Sequence, residues 1–117
     1  MNDILKVTSG VVKIGGAIGN DPSKLLEELS MRVKQGERWI LVHGASGPME
    51  TMCRSCGVEP LYVTSPSGYR SRFVGAKELA LFEAACCHYS VELSWKLGKL
   101  GIGSLPIYPS MAVTAKA

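Results

Sequence analysis

Lys13-Ile14-Gly15-Gly16 is the first stretch whose residue types could do chemistry. Glycines that follow a β-branched run let the backbone approach an anion, with amide N–H groups aimed at it. The lysine adds a point charge suited to a phosphoryl oxygen. A second turn, Gly44-Ala45-Ser46-Gly47, has the same character. Neither turn is a Walker A motif or a G-x-G-x-x-G motif. On spacing alone, two tight strand-to-helix turns with a lysine at a strand edge remain an alternative. A third stretch is Thr64-Ser65-Pro66-Ser67-Gly68-Tyr69-Arg70-Ser71-Arg72-Phe73. Arginines two positions apart on a strand share a face, and the guanidinium fork suits a carboxylate. A solvated hairpin with two exposed arginines is the alternative there.

Two other chemistries are weighed and set aside. Cys53-Arg54-Ser55-Cys56 is a C-x-x-C, and Cys86-Cys87-His88 follows it. Zinc needs four converging ligands. Here the second C-x-x-C is missing, and Cys86 and Cys87 diverge on a helix. A redox pair opens a helix, where the dipole lowers the thiol pKa; this pair closes one before Gly57. The expectation is buried thiols and no metal. Ser46 stands in a strand-to-helix turn, but Gly44-Ala45-Ser46-Gly47-Pro48 lacks the G-x-S-x-G spacing of a nucleophile elbow. His43 and His88 are the only available bases.

The elements that must position these residues follow from local pattern. Val11-Val12-Lys13-Ile14 reads as a buried strand. Asp21-Pro22 opens a helix whose face is Leu25, Leu26, Leu29 and Val33, and Gly36 stops it. Arg38 to Val42 is a second strand, and Met49 to Cys56 a short helix ended by Gly57. Leu61-Tyr62-Val63 and Tyr69 to Val74 read as the arms of a hairpin around Ser65-Pro66-Ser67-Gly68. Ala76 to Leu100 is a long helix ended by Gly101. Leu105 to Tyr108 is a candidate last strand, and Ser110 to Ala117 a loose tail. This order predicts a layered αβα fold with a mainly parallel sheet. Ligands in such sheets sit beyond the carboxyl ends of the strands, where both glycine turns lie.

The chain has 117 residues, 46% hydrophobic and 20% charged, with a formal net charge of +3. That is one globular domain by composition. The basic excess is too mild and too scattered for a nucleic-acid stripe. No apolar run reaches the roughly 20 residues that span a bilayer, and the first residues lack a signal-peptide profile. A cytoplasmic location with reduced thiols is expected.

Taken together, Val-Val-Lys-Ile-Gly-Gly, a helix, and Val-His-Gly before a small-residue turn resemble the amino-acid kinase superfamily. Gly57-Val58-Glu59-Pro60 and the Thr64 to Phe73 stretch resemble its branch of acetylglutamate kinases and carrier-linked aminoadipate kinases. The resemblance runs from about Val11 to Gly101. It implies transfer of the γ-phosphoryl of ATP, with Mg, to the side-chain carboxylate of an N-blocked acidic amino acid, in lysine or arginine biosynthesis. Carried over by position, Lys13 is the catalytic lysine that neutralises the transferring phosphoryl. Gly15 and Gly16 lie beside the phosphates. Gly44 begins the turn that contacts substrate and phosphoryl oxygens, and Arg72 grips the α-carboxylate.

The sequence departs from that pattern at Ala45-Ser46, Val74-Gly75, Cys87 to Val91, and Pro106 and Pro109. The chain is also much shorter than the two-lobed enzymes it resembles, so residues 1–103 are expected to be an N-terminal amino-acid-binding lobe, and residues 104–117 a divergent strand and tail. The nucleotide-binding lobe is expected to be absent, leaving the chain inactive alone. The second reading is a non-catalytic binding or assembly module derived from such a kinase. Its motivation is the long helix. Leu79, Phe82, Cys86, Tyr89, Leu93, Leu97 and Leu100 form one stripe, and Leu81, Ala84, Ala85, Val91 and Trp95 a second. The second stripe predicts a homodimer or a missing half-enzyme as partner.

Overall fold

The computed structural model describes residues 7–108. Their order is β1 (Gly10–Ile14), α1 (Ser23–Lys34), β2 (Trp39–His43), α2 (Ser46–Ser55), β3 (Leu61–Thr64), β4 (Arg70–Phe73) and α3 (Ala76–Lys99). The fold is mixed α/β, as expected. β1 and β2 pair in parallel, from Gly10 opposite Trp39 to Ile14 opposite His43. β3 and β4 form an antiparallel hairpin, Leu61 opposite Phe73 and Thr64 opposite Arg70. These are two separate two-stranded sheets in place of one mainly parallel sheet.

Period-two alternation decides which way each parallel strand faces. Ile14 is buried and packs with Leu26, Tyr89, Leu93, Leu97 and Ile102, with Leu25, Val33 and Leu41 around them. α1 and α3 therefore cover one face of the sheet. Val11, Lys13 and Val42 lie on the opposite face and are exposed. The expected second helical layer does not cover that face among the described residues.

Local chemistry sets the helix ends. Asp21 Oδ1 accepts from the Ser23 amide at 3.0 Å and the Ser23 hydroxyl at 2.6 Å, which starts α1. Those two bonds, the hydroxyl's first, hold the exposed Asp21 carboxyl below its usual pKa. Gly36 (φ +96°) and Gly101 (φ +88°) end α1 and α3 in the left-handed region that glycine adopts freely. α2 begins at Ser46, earlier than the expected Met49. Ser46-Gly47-Pro48 reads as a turn by composition, yet a first helical turn tolerates proline, because its amides have no intrahelical acceptor.

Two further expectations are corrected. Leu105–Tyr108 forms no strand. Pro106 has no amide for a ladder, and Leu105 and Ile107 stay exposed beside an apolar groove of about 690 Å³ between β2, α3 and residues 102–107. The two stripes of α3 also divide differently. Ala85 and Leu81 face α2, where Ala45, Met49, Cys53 and Ala85 make a second buried cluster. Leu79 and Phe82, assigned to the core stripe, are exposed, as is Trp95. The tail from Ser110 lies outside the described residues.

Candidate anion-binding site

Both glycine turns leave the carboxyl ends of paired strands, so the β1–β2 register brings them together. The Gly44 amide donates to the Ile14 carbonyl at 3.2 Å, and the Gly47 amide to the Gly16 carbonyl at 2.6 Å. Gly16 admits no side chain. A Cβ there would stand 2.2 Å from the Gly44 carbonyl carbon, 2.4 Å from its oxygen and 2.5 Å from the Ala45 nitrogen. One at Gly44 would meet only the Gly16 backbone, at 3.3 Å or more. At Gly15 the obstacle is a side chain, Asn20 Nδ2 at 2.6 Å. These glycines are needed for turn-to-turn contact rather than for unusual backbone angles, since none of the three has positive φ.

α2 starts directly from this turn. Its cap, Ala45, offers no side-chain acceptor. Among the described residues the Ala45 and Ser46 amides have no hydrogen-bond acceptor, so the turn keeps free donors at a positive helix end.

Arg72 comes to the same place from β4. Its Nη2 donates to the Ser46 carbonyl at 3.3 Å and to the Tyr62 hydroxyl at 3.1 Å. Its guanidinium lies 5.1 Å from the Tyr62 ring centroid, and Arg70 stacks on that ring at 4.0 Å. The remaining donors of Arg72, on Nε and Nη1, are buried without a partner among the described residues. Buried, unpaired N–H groups of a cation are costly. A carboxylate or phosphoryl oxygen placed against them removes that cost. Lys13 lies one residue before the end of β1, exposed and without an ion pair among the described residues.

The structure thus joins Gly16, Gly44 and Arg72 directly, with Gly15 beside Gly16 and Lys13 near the same strand end. Sequence reasoning missed His43 as part of this arrangement. Its Nδ1 lies 3.1 Å from the Gly44 carbonyl and its Nε2 2.6 Å from Ser90 Oγ on α3. Its ring meets Tyr89 edge-on, 4.9 Å between centroids at 85°. Only the position of His43 at the strand end hinted at this; Ser90 is 47 residues away.

Cys53 is fully buried in the α2–α3 cluster and Cys56 is at the surface. Among the described residues no three His, Cys, Asp or Glu side chains converge as metal ligands, and no helix is long and apolar enough to cross a membrane.

No family model matches the chain. Individual relatives do. It is 40% identical over 96 residues to a LysW-aminoadipate kinase of Deinococcus radiodurans, covering 81% of this chain and 33% of the relative. It is 34% identical over 97 residues to the LysW-aminoadipate kinase of Thermus thermophilus, covering 80% of this chain and 36% of the relative. With a LysW-aminoadipate/LysW-glutamate kinase of Sulfurisphaera tokodaii the identity is 40% over 73 residues, 62% of this chain and 27% of the relative. The chain is a partial-length homologue of the LysW-linked amino-acid kinases. This homologue spans about a third of the length of the curated relatives it matches.

Proposed function

We propose that this chain is the amino-acid-binding portion, residues 1–103 with a divergent segment at 104–117, of a kinase that phosphorylates the side-chain carboxylate of carrier-linked aminoadipate or glutamate. Its place would be in lysine or arginine biosynthesis. The observation that carries the reading is Arg72: half-buried, with its Nε and Nη1 donors buried and unpaired among the described residues, and bonded to the turn whose Ala45 and Ser46 amides have no acceptor among them. That arrangement supports an acidic ligand, and the homology supports its class.

In this reading Arg72 holds the α-carboxylate. The Gly44 turn donates amides to the reacting oxygens, and Lys13, beside Gly15 and Gly16, neutralises charge on the transferring phosphoryl. Catalysis by such a set is positioning and charge neutralisation, with no covalent intermediate. ATP, when bound, supplies the phosphoryl group. The exposed Lys13 ammonium, without an ion pair among the described residues, fits its phosphates. The described residues offer no acidic cluster for magnesium, so no step is assigned to it.

The chain alone is expected to give no turnover. The test is an ATP- and substrate-dependent hydroxamate assay on the chain alone and fused to the remaining length of the Deinococcus relative. Turnover in the fusion, lost on Lys13→Ala, supports the reading. A folded fusion that binds ATP but makes no acyl phosphate contradicts it, and turnover by the isolated chain contradicts the half-enzyme assignment.

A further inference from the structure

We propose that His43, held by Ser90, is the positioning residue that aims the Ala45 amide into the candidate site. A backbone carbonyl only accepts, so the 3.1 Å contact to Gly44 O makes Nδ1 the donor. In the neutral ring Nε2 then accepts from the Ser90 hydroxyl, at 2.6 Å. The edge-on Tyr89 fixes the ring plane from a third side. A trans peptide is planar, with C=O and N–H pointing in opposite directions. Drawing the Gly44 oxygen toward His43 therefore turns the Ala45 N–H away from the ring. That amide has no acceptor among the described residues. Gly16 blocks the opposite movement, since it lies against the Gly44 carbonyl and the Ala45 nitrogen of this same peptide. One peptide unit is thus held between an imidazole and a glycine, and its free donor is left for a ligand. The role at a substrate rests on the kinase reading; the orientation of the peptide does not.

The test uses the whole chain, labelled with ¹⁵N, as wild type and as His43→Ala, His43→Asn, Ser90→Ala and Ser90→Thr. Long-range ¹⁵N–¹H correlations of the neutral imidazole read the tautomer without any ligand. The Nδ1–H form is expected for His43, and the Nε2–H form would overturn the proposal. The Ala45 amide shift is then followed during titration with N-acetylglutamate. One neutral hydrogen bond is worth about tenfold in affinity at the upper end. His43→Ala and Ser90→Ala should weaken binding by about that factor and shrink the Ala45 response. His43→Asn places a side-chain N–H where Nδ1 stands, and Ser90→Thr keeps the hydroxyl; both should restore most of it. Equal affinity and an equal Ala45 response in His43→Ala would overturn the proposal. If wild type binds no acidic amino acid, the kinase reading fails, and the tautomer still decides the positioning claim.

Discussion

Replacing Gly16 by alanine is the sharpest probe of how the two turns meet. The added Cβ would come within 2.2–2.5 Å of three backbone atoms of the Gly44–Ala45 peptide. Backbone on both sides cannot rotate out of the way as a side-chain tip can. The turns must part, which strains the 2.6 Å bond from Gly47 N–H to Gly16 O. Overpacking of this kind costs about 1–3 kcal/mol, and three backbone clashes place Gly16→Ala near 3. Gly44→Ala, whose nearest obstacle is at 3.3 Å, should cost about 1 kcal/mol. Gly15→Ala displaces only the end of the Asn20 side chain and should stay within about 0.5 kcal/mol. At roughly 4 °C per kcal/mol for a domain of this size, the expected falls in Tm are about 12, 4 and 2 °C. Urea unfolding followed by circular dichroism measures the series, with an unchanged slope showing that native stability alone has moved. Gly16→Ala within 0.5 kcal/mol of wild type, or less harmful than Gly15→Ala, would refute the turn-to-turn contact.

Three further outcomes are expected. Gly98→Ala, in α3 with nothing within 4 Å of the new Cβ, should stabilise by about 0.5–1 kcal/mol and raise Tm by a few degrees in a thermal melt. Burial, then Cys87 and Glu83, pushes the Cys86 thiol up, and burial pushes the Tyr89 hydroxyl up. The folded state therefore keeps these protons where the unfolded chain has lost them, so stability should be intact below about pH 9 and fall as pH rises above it. Urea midpoints from pH 7 to 11 check the direction, and Cys86→Ala should flatten part of the slope. Iodoacetamide should modify exposed Cys56 well before buried Cys53, read by peptide mass mapping.

Signals that act over a few residues were legible in the sequence. The Asp21-Pro22 start, the stops at Gly36, Gly57 and Gly101, and the hairpin around Ser65–Gly68 each depend on neighbours along the chain. The apolar face of α1 was legible because 3.6-residue periodicity needs no partner. What failed depends on distant partners. A strand at Leu105–Tyr108 requires a neighbouring ladder, and local β character cannot supply one. The stripes of α3 were divided by periodicity alone, whereas α2 decides that Leu81 and Ala85 are covered and leaves Leu79 and Phe82 outside. In the site, the glycines and Arg72 were visible as types with a spacing. The bonds that assemble them span 26 residues from Arg72 to Ser46 and 47 from His43 to Ser90, and no local pattern encodes those.

The central claim is that Arg72 and the Gly44 turn hold a carboxylate, and titration calorimetry with an N-acylated acidic amino acid tests it most directly. Wild type should bind. Arg72→Ala should lose about 2–5 kcal/mol, the range for removing one partner of a buried hydrogen-bonded charge pair, which is at least about 30-fold in Kd. Arg72→Ala should still fold: it loses the Nη2 bonds to the Ser46 carbonyl and the Tyr62 hydroxyl, about 1 kcal/mol each, while the unpaired Nε and Nη1 donors add nothing to the unliganded fold. Unchanged affinity in a folded Arg72→Ala protein would contradict the account.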